Sequence, residues 1–258
     1  APCAASGPSH PNTTATAMTA GWRWRIPLQH RVGNGYVYSS AFIDDQTAWD
    51  DLVQGMEPPP AAEPNQLRFV TGRRRSAWKG NVVAIGLASG FLEPLESTSI
   101  NLIQTGIGRL LELFPDRDFD PALALEYNRR TTQEVERVRD FIIAHYHLAG
   151  RTEGALWQHC RETAPPDTLA ARLDLFRARG EIALHEDESF REDSWAAVLT
   201  GLGVWPRRVS PLVDRLELSR VEAQARRLAD LIERAATSLP DHRDYLTDRQ
   251  MNAAEPVR

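Results

Sequence analysis

Residues 81–88, NVVAIGLA, constrain the fold more than any other segment. A near-continuous apolar run of this length reads as a strand covered on both faces of a sheet. Such a strand needs neighbours, and parallel neighbours need crossover helices. Residues 1–20, rich in Ala, Pro, Ser and Thr, supply neither and read as loop or extended chain. The expectation is therefore a portion of a longer protein. The first residue, Ala rather than Met, points the same way.

Around this run the chain divides in character. Residues 21–43 read as a β-hairpin, with Gly33-Asn34-Gly35 as the turn between alternating runs. Asp44 or Asp45 is placed to cap a short helix through Met56. Residues 56–64, MEPPPAAEP, must be loop, because four prolines forbid regular structure. Residues 67–71 are a strand candidate, and Arg73-Arg74-Arg75 reads as a solvated turn. Ile100, Ile103, Ile107, Leu110, Leu111 and Phe114 recur at helical spacing. Beyond Pro115 the pattern is almost wholly helical. Val135, Val138, Ile142 and Tyr146 form one stripe. Leu169, Leu173 and Phe176 form a second, stopped by Gly180. Val221, Ala225, Leu228, Ile232 and Ala235 form a third. The polar tail after Pro240 is expected to fray. The fold class is α+β (mixed α/β): a β-rich part over residues 1–115, then a helical region over 116–258.

Composition limits the partners. With 42% apolar and 25% charged residues the 258-residue chain can build an ordinary globular core, and its net charge of −5 offers no basic face for nucleic acid or a membrane surface. Its two cysteines, Cys3 and Cys160, make no disulfide framework, which fits a reducing, cytoplasmic setting. There is no apolar stretch of the ~18 residues a membrane span requires. Phosphate-loop, zinc and nucleophile-elbow motifs are absent. His145 and His147, two apart on a helix, point away from each other and make no metal pair; no metal is expected.

Chemistry concentrates in residues 86–99, GLASGFLEPLESTS. Small residues at a strand end let a ligand approach the backbone, and strand ends in open α/β sheets are the usual place for cofactors. Pro94 stiffens the loop, and Ser97 is placed to cap the next helix. The amides of Thr98, Ser99 and Ile100 would then be open donors at a helix start, a setting that favours a small anion. Glu93 and Glu96 in the same loop oppose an anion by charge. A catalytic role would explain them; so would an ordinary interaction with the helix dipole. A second group, Trp22-Arg23-Trp24-Arg25-Ile26-Pro27, alternates so that both tryptophans and Ile26 share one face. From the residues alone, two large core aromatics on a half-buried strand are the favoured account of it.

Together these segments resemble the flavin-dependent tryptophan halogenase family. Trp22-x-Trp24-x-Ile26-Pro27 is similar to that family's W-x-W-x-I-P signature, and residues 91–100, FLEPLESTSI, resemble its halide-and-catalysis loop. QHRVGNGYVYSS at 29–40, RFVTGRRRSAW at 68–78 and RDFIIAHYHLAGR at 139–151 are also in its style and order. The resemblance implies an enzyme that uses reduced FAD, supplied by a separate flavin reductase, and oxygen to turn chloride or bromide into hypohalous acid, which halogenates an electron-rich aromatic. It implies Glu96 as the catalytic carboxylate and Thr98 and Ser99 as the halide-binding positions. It places Gly86, Leu87, Ala88, Ser89, Gly90 and Pro94 along the flavin, and Trp22, Trp24, Ile26 and Pro27 beside the flavin and the tunnel.

Two departures matter. There is no G-x-G-x-x-G, and the only lysine, Lys79, lies in the RRRSAWK turn rather than at the family's catalytic lysine position. The chain is therefore expected to be the C-terminal half of such an enzyme, to hold FAD weakly and to be inactive alone. The stretch 183–203 also lacks the tyrosine pair with which relatives hold free tryptophan. Phe190 and Trp195 are the aromatics left there to stack on a substrate, so an indole or another electron-rich aromatic is expected. The alternatives are a flavin-dependent hydroxylase or a non-catalytic helical interaction domain.

Overall fold

The computed structural model describes all residues except 5–10, 57 and 254–258, and no side chain beyond 249. In chain order the elements are β1 (Pro2–Ala4), β2 (Thr14–Met18), β3 (Gly21–Pro27), β4 (Arg31–Tyr38), α1 (Asp45–Gln54), β5 (Gly72–Arg73), β6 (Trp78–Lys79), β7 (Val82–Val83), β8 (Gly90–Phe91), α2 (Ser99–Glu112), α3 (Pro121–His147), α4 (Ala155–Glu162), α5 (Asp167–Arg179), α6 (Glu192–Gly201), α7 (Leu218–Ser238) and α8 (His242–Ala253). This is an α+β chain, as expected. It forms two compact units. One comprises Ala1–Gln66, Glu153–Leu156 and Pro211–Arg258; the other comprises Leu67–Thr152 and Trp157–Ser210.

The first unit contains an antiparallel sheet in the order β1-β4-β3-β2. Residues 14–18, expected as loop or extended chain, are its edge strand β2. The hairpin of β3 and β4 forms, but its turn is at residues 28–30, closed by the Leu28 amide donating to the Arg31 carbonyl at 2.8 Å. Gly33, Asn34 and Gly35 instead lie inside β4. The reason is packing: Trp24 stands opposite Gly35, and a Cβ on Gly35 would come within 2.3 Å of its ring. The glycines that signalled a turn make room for an indole.

Trp22, Trp24 and Ile26 do share a face, opposite Val37, Gly35 and Gly33. The arginine face is not simply solvated. Cys3, Val32, Leu52 and Met56 form an apolar cluster between the sheet and α1, and Arg23 donates to the Gly55 carbonyl at 3.0 Å. Asp44 caps α1 as expected, its carboxylate accepting from the Thr47 amide at 2.9 Å. At the start of β3, a Cβ on Gly21 would stand 1.9 Å from the Val37 carbonyl oxygen, a backbone atom that cannot swing aside. Gly21→Ala is expected to destabilise the chain by about 1–3 kcal/mol, the usual cost of overpacking. A denaturant midpoint unchanged from wild type would show this register to be wrong.

The third apolar stripe does not become core. No residue of α7 is buried, and Leu228 and Ile232 are 60% and 59% exposed. Periodicity reports an amphipathic helix, not what covers it. Residues 242–253 form α8 where a fraying tail was expected; residues 254–258 lie outside the described residues.

In the second unit, the strands are two-residue pairs, β5 with β8 and β6 with β7. Residues 81–88 are not a doubly buried strand. Pairing stops at Val83, Gly86 adopts φ +64°, and residues Gly86–Ala88 close a 3₁₀ turn that leaves Leu87 76% exposed. Residues 67–71 are likewise not a strand; pairing begins at Gly72, and Leu67 and Val70 are exposed. Arg73 is in β5 and pairs with Glu136 at 2.7 Å, not in a free turn. The α2 helix forms as its periodicity predicts, but Ile100, Ile107, Leu111 and Phe114 are exposed, and the inward face carries Leu102, Gly106 and Arg109. The other two stripes hold. Val138 and Ile142 pack with Leu92, flanked by Val135 and Tyr146. Leu169, Leu173 and Phe176 pack with Phe141, Ala144, Trp195 and Leu199, and Gly180 ends α5 in the left-handed conformation its lack of a Cβ permits.

Candidate active site

The loop from Gly86 to Thr98 turns twice within the second unit. Its second turn, Leu95–Ser97, is unusual: Glu96 has φ 66° and ψ 0°, and Ser97 has φ 55°. Two consecutive non-glycine residues in the left-handed region are strained, and such strain persists where surrounding contacts fix it. Ser97 is therefore not the helix cap. The cap position of α2 falls to Thr98, and no side chain caps it. The first amides of α2 thus lack both intrahelical and side-chain acceptors.

Thr98 and Ser99, at this helix start, line a small cavity of about 60 Å³. Gly86, Leu87, Ser89, Gly90, Glu93, Thr98 and Ser99 line it, together with Leu102, Ile103, Gly106, Tyr127 and Glu134 from the helices. Gly86, Leu87, Ser89 and Gly90 therefore meet the expected anion positions Thr98 and Ser99 around one space, whereas Ala88, Pro94 and Glu96 are not among its lining residues. Its volume suits one or two water-sized species, not a flavin ring, which needs a pocket of about 300 Å³ or more. Glycine at 90 is explained without a ligand, because a Cβ there would lie 2.7 Å from the Gly72 carbonyl across the β5–β8 pair.

The two carboxylates are held differently. The Tyr146 hydroxyl donates to Glu93 at 2.8 Å. The Oε1 of Glu96 lies 3.0 Å from Nε2 of His145. Neighbouring residues of α3 thus grip the two glutamates. Neither contact was readable from the sequence, since the partners lie 53 and 49 positions apart. The regular stripe containing Tyr146 was the only hint. Burial alone would pull the His145 pKa down, but the Glu96 hydrogen bond, the Phe141 carbonyl and the charges of Glu96 and Glu93 outweigh it and leave the imidazole raised.

Behind the cavity lies a buried ionic cluster that sequence reading also missed. Arg109 pairs with Glu134 at 3.0 Å and with Asp187 at 3.2 Å. Thr105 and Ser189 donate to the two Glu134 oxygens at 2.9 and 3.1 Å. The pair expected to stack on substrate belongs to the core. Trp195 is fully buried, with the Arg172 guanidinium 4.1 Å above its ring and Phe141 edge-on. Phe190 stacks on Phe141 with ring centroids 3.7 Å apart. Apolar packing thus encloses Trp195 completely, while Phe190 is half-buried at the edge of the same cluster.

The comparisons with known proteins decide the family. The family model described as tryptophan halogenase matches residues 1–217. The chain belongs to the tryptophan halogenase family. It is 36% identical over 217 residues to the tryptophan 7-halogenase RebH of Lentzea aerocolonigenes, covering 78% of this chain and 41% of that protein. It is 35% identical over 243 residues to the tryptophan 6-halogenase SttH of Streptomyces toxytricini, covering 91% and 46%. Among solved structures, BrvH, a flavin-dependent halogenase from Brevundimonas sp. BAL3, superposes with a TM-score of 0.90 at 42% identity, over 96% of this chain and 51% of that one. This tryptophan halogenase family member thus spans about half the length of the relatives it matches. Among its described residues no helix is long and apolar enough to cross a membrane.

Proposed function

We propose that this chain carries the halide-binding and carboxylate part of a flavin-dependent halogenase that chlorinates or brominates an indole or other tryptophan-type aromatic. The observation that supports it most is the loop of residues 86–99, which lines an ion-sized cavity, Thr98 and Ser99 at the start of α2 included, while the same loop carries Glu96, held by His145 and not itself among the lining residues. Thr98 and Ser99 would bind the halide through their amides, as their helix-start position favours. Gly86 to Gly90 and Pro94 would lie along the flavin; a role for Trp22, Trp24, Ile26 and Pro27, which belong to the first unit, rests on the family resemblance alone. In this reading residues 1–115 belong to the flavin and halide side and residues 116–258 to the substrate side. Reduced FAD, delivered by a reductase in the cytoplasm, would when bound supply the electrons that activate oxygen, and oxygen would be the oxidant for the halide. Glu96 would orient the halogenating species and stabilise positive charge on the ring.

The test is product chemistry. The full-length protein that carries this sequence is given reduced FAD, oxygen, bromide or chloride, and indole or tryptophan. A halide-dependent halogenated product, absent when halide is omitted, is the expected result. A hydroxylated product formed without halide would replace this reading with a flavin hydroxylase. No product of either kind would favour a binding role.

A further inference from the structure

The geometry points to His145 as a positioning residue for Glu96, fixing that carboxylate through a single proton shared across the Nε2–Oε1 contact. The inference rests on the functional reading above for the role of Glu96, and on the following geometry for the contact itself. The Nδ1 of His145 lies 2.8 Å from the Phe141 carbonyl and its Nε2 lies 3.0 Å from Glu96. A carbonyl oxygen only accepts, so Nδ1 must carry a hydrogen. A neutral imidazole has one hydrogen, which leaves a lone pair on Nε2 facing the carboxylate. The contact as seen therefore requires one more proton, on Nε2 or on Oε1. With it, the pair is joined by a charge-assisted hydrogen bond. Without it, a lone pair and an anion face each other.

The surroundings make this contact matter. Glu96 sits on a left-handed backbone that its own conformational preference does not support. The ring of His145 is fixed edge-on by Phe141, with centroids 5.1 Å apart, and Phe141 is itself a core residue. The imidazole is thus a rigid post and the carboxylate is the strained part attached to it. The charged groups facing His145 are Glu96 and, farther off, Glu93, which Tyr146 holds. Both favour the imidazolium. A pKa raised above the ordinary histidine value means the latch is present at and below that value and is lost as pH rises through the raised one. Glu96 would then be well placed in acid to neutral solution and released on the alkaline side.

Two measurements test this. In the first, the imidazole resonances of the 258-residue chain are titrated by NMR, and His145 is assigned by the signal missing in His145→Gln. Its pKa is expected to lie above the ordinary histidine value and to fall in Glu96→Gln, where burial is no longer outweighed. An unshifted His145, or one indifferent to Glu96→Gln, overturns the contact. In the second, halogenation by the full-length protein is followed against pH. Glutamine can donate to Glu96 without titrating, so His145→Gln should keep most of the rate while losing the alkaline fall expected of wild type. His145→Ala should lose roughly ten-fold or more in kcat in acid to neutral solution, the scale of one hydrogen bond to a charged group, and converge with wild type on the alkaline side, with KM for the aromatic little changed. A purely structural role would predict equal damage from both variants and no change in the shape of the profile, and that result overturns the positioning role. If wild type makes no halogenated product, the functional reading fails and takes the role with it, while the NMR result still decides the contact.

Discussion

Glu96→Gln is expected to lower the halogenation rate by about 10²–10³-fold, the usual cost of removing a preorganised electrostatic partner from a reacting centre. The substitution keeps the shape of the side chain and removes its charge. Chemistry at the flavin would proceed without this carboxylate, so the expected signature is uncoupling. Oxygen is consumed and hypohalous acid or peroxide appears, but little halogenated product forms. Glu93→Gln is the informative comparison. It changes a carboxylate in the same loop that is held by Tyr146 rather than by His145. Greater damage from Glu93→Gln, or wild-type halogenation by Glu96→Gln, would show that the roles in this loop are assigned to the wrong glutamate.

The largest expected effect on stability lies one layer deeper. Arg109, Glu134 and Asp187 have side chains only 4%, 4% and 5% exposed. Arg109→Met leaves two buried carboxylates without the guanidinium they share, with Arg130, 3.3 Å from Asp187, still beside one of them. Breaking a buried ion pair by removing one partner costs about 3–5 kcal/mol, because the charge left behind has lost both water and partner. Removing both partners is cheaper. The double variant Arg109→Met with Glu134→Gln is therefore expected to be more stable than Arg109→Met alone. Chemical denaturation of the two would check it, and a double variant as unstable as the sum of its single changes would mean the residues do not interact.

What the sequence disclosed depended on the range of the interaction that decides each feature. The cap of α1, the stop at Gly180 and the stripes of α3 and α5 are settled within a few residues, and they were legible. The turn misassigned to Gly33-Asn34-Gly35 was decided across the sheet by Trp24. The run at 81–88 was decided by a positive φ at Gly86 that composition does not signal. Exposed stripes on α2 and α7 looked like core because periodicity records which face is apolar and nothing of what covers it. The loop at 86–99 stood out through its small residues, its anion-friendly helix start and its misplaced carboxylates, and family resemblance sharpened that. His145 and the Arg109 cluster did not stand out. A histidine or an arginine in a helix looks ordinary until the fold brings a carboxylate from far along the chain against it.

The consecutive left-handed residues at Glu96 and Ser97 carry a consequence for anyone improving this protein. Glycine at position 97 would relieve backbone strain, and a selection for thermal tolerance alone would favour such a change. Yet the same relief would let the chain bearing the carboxylate wander from its imidazole. Stability and activity are set against each other at this one turn, so thermostable variants should be sought elsewhere, at exposed helix positions such as those on α7, with the sequence of residues 94–99 held fixed.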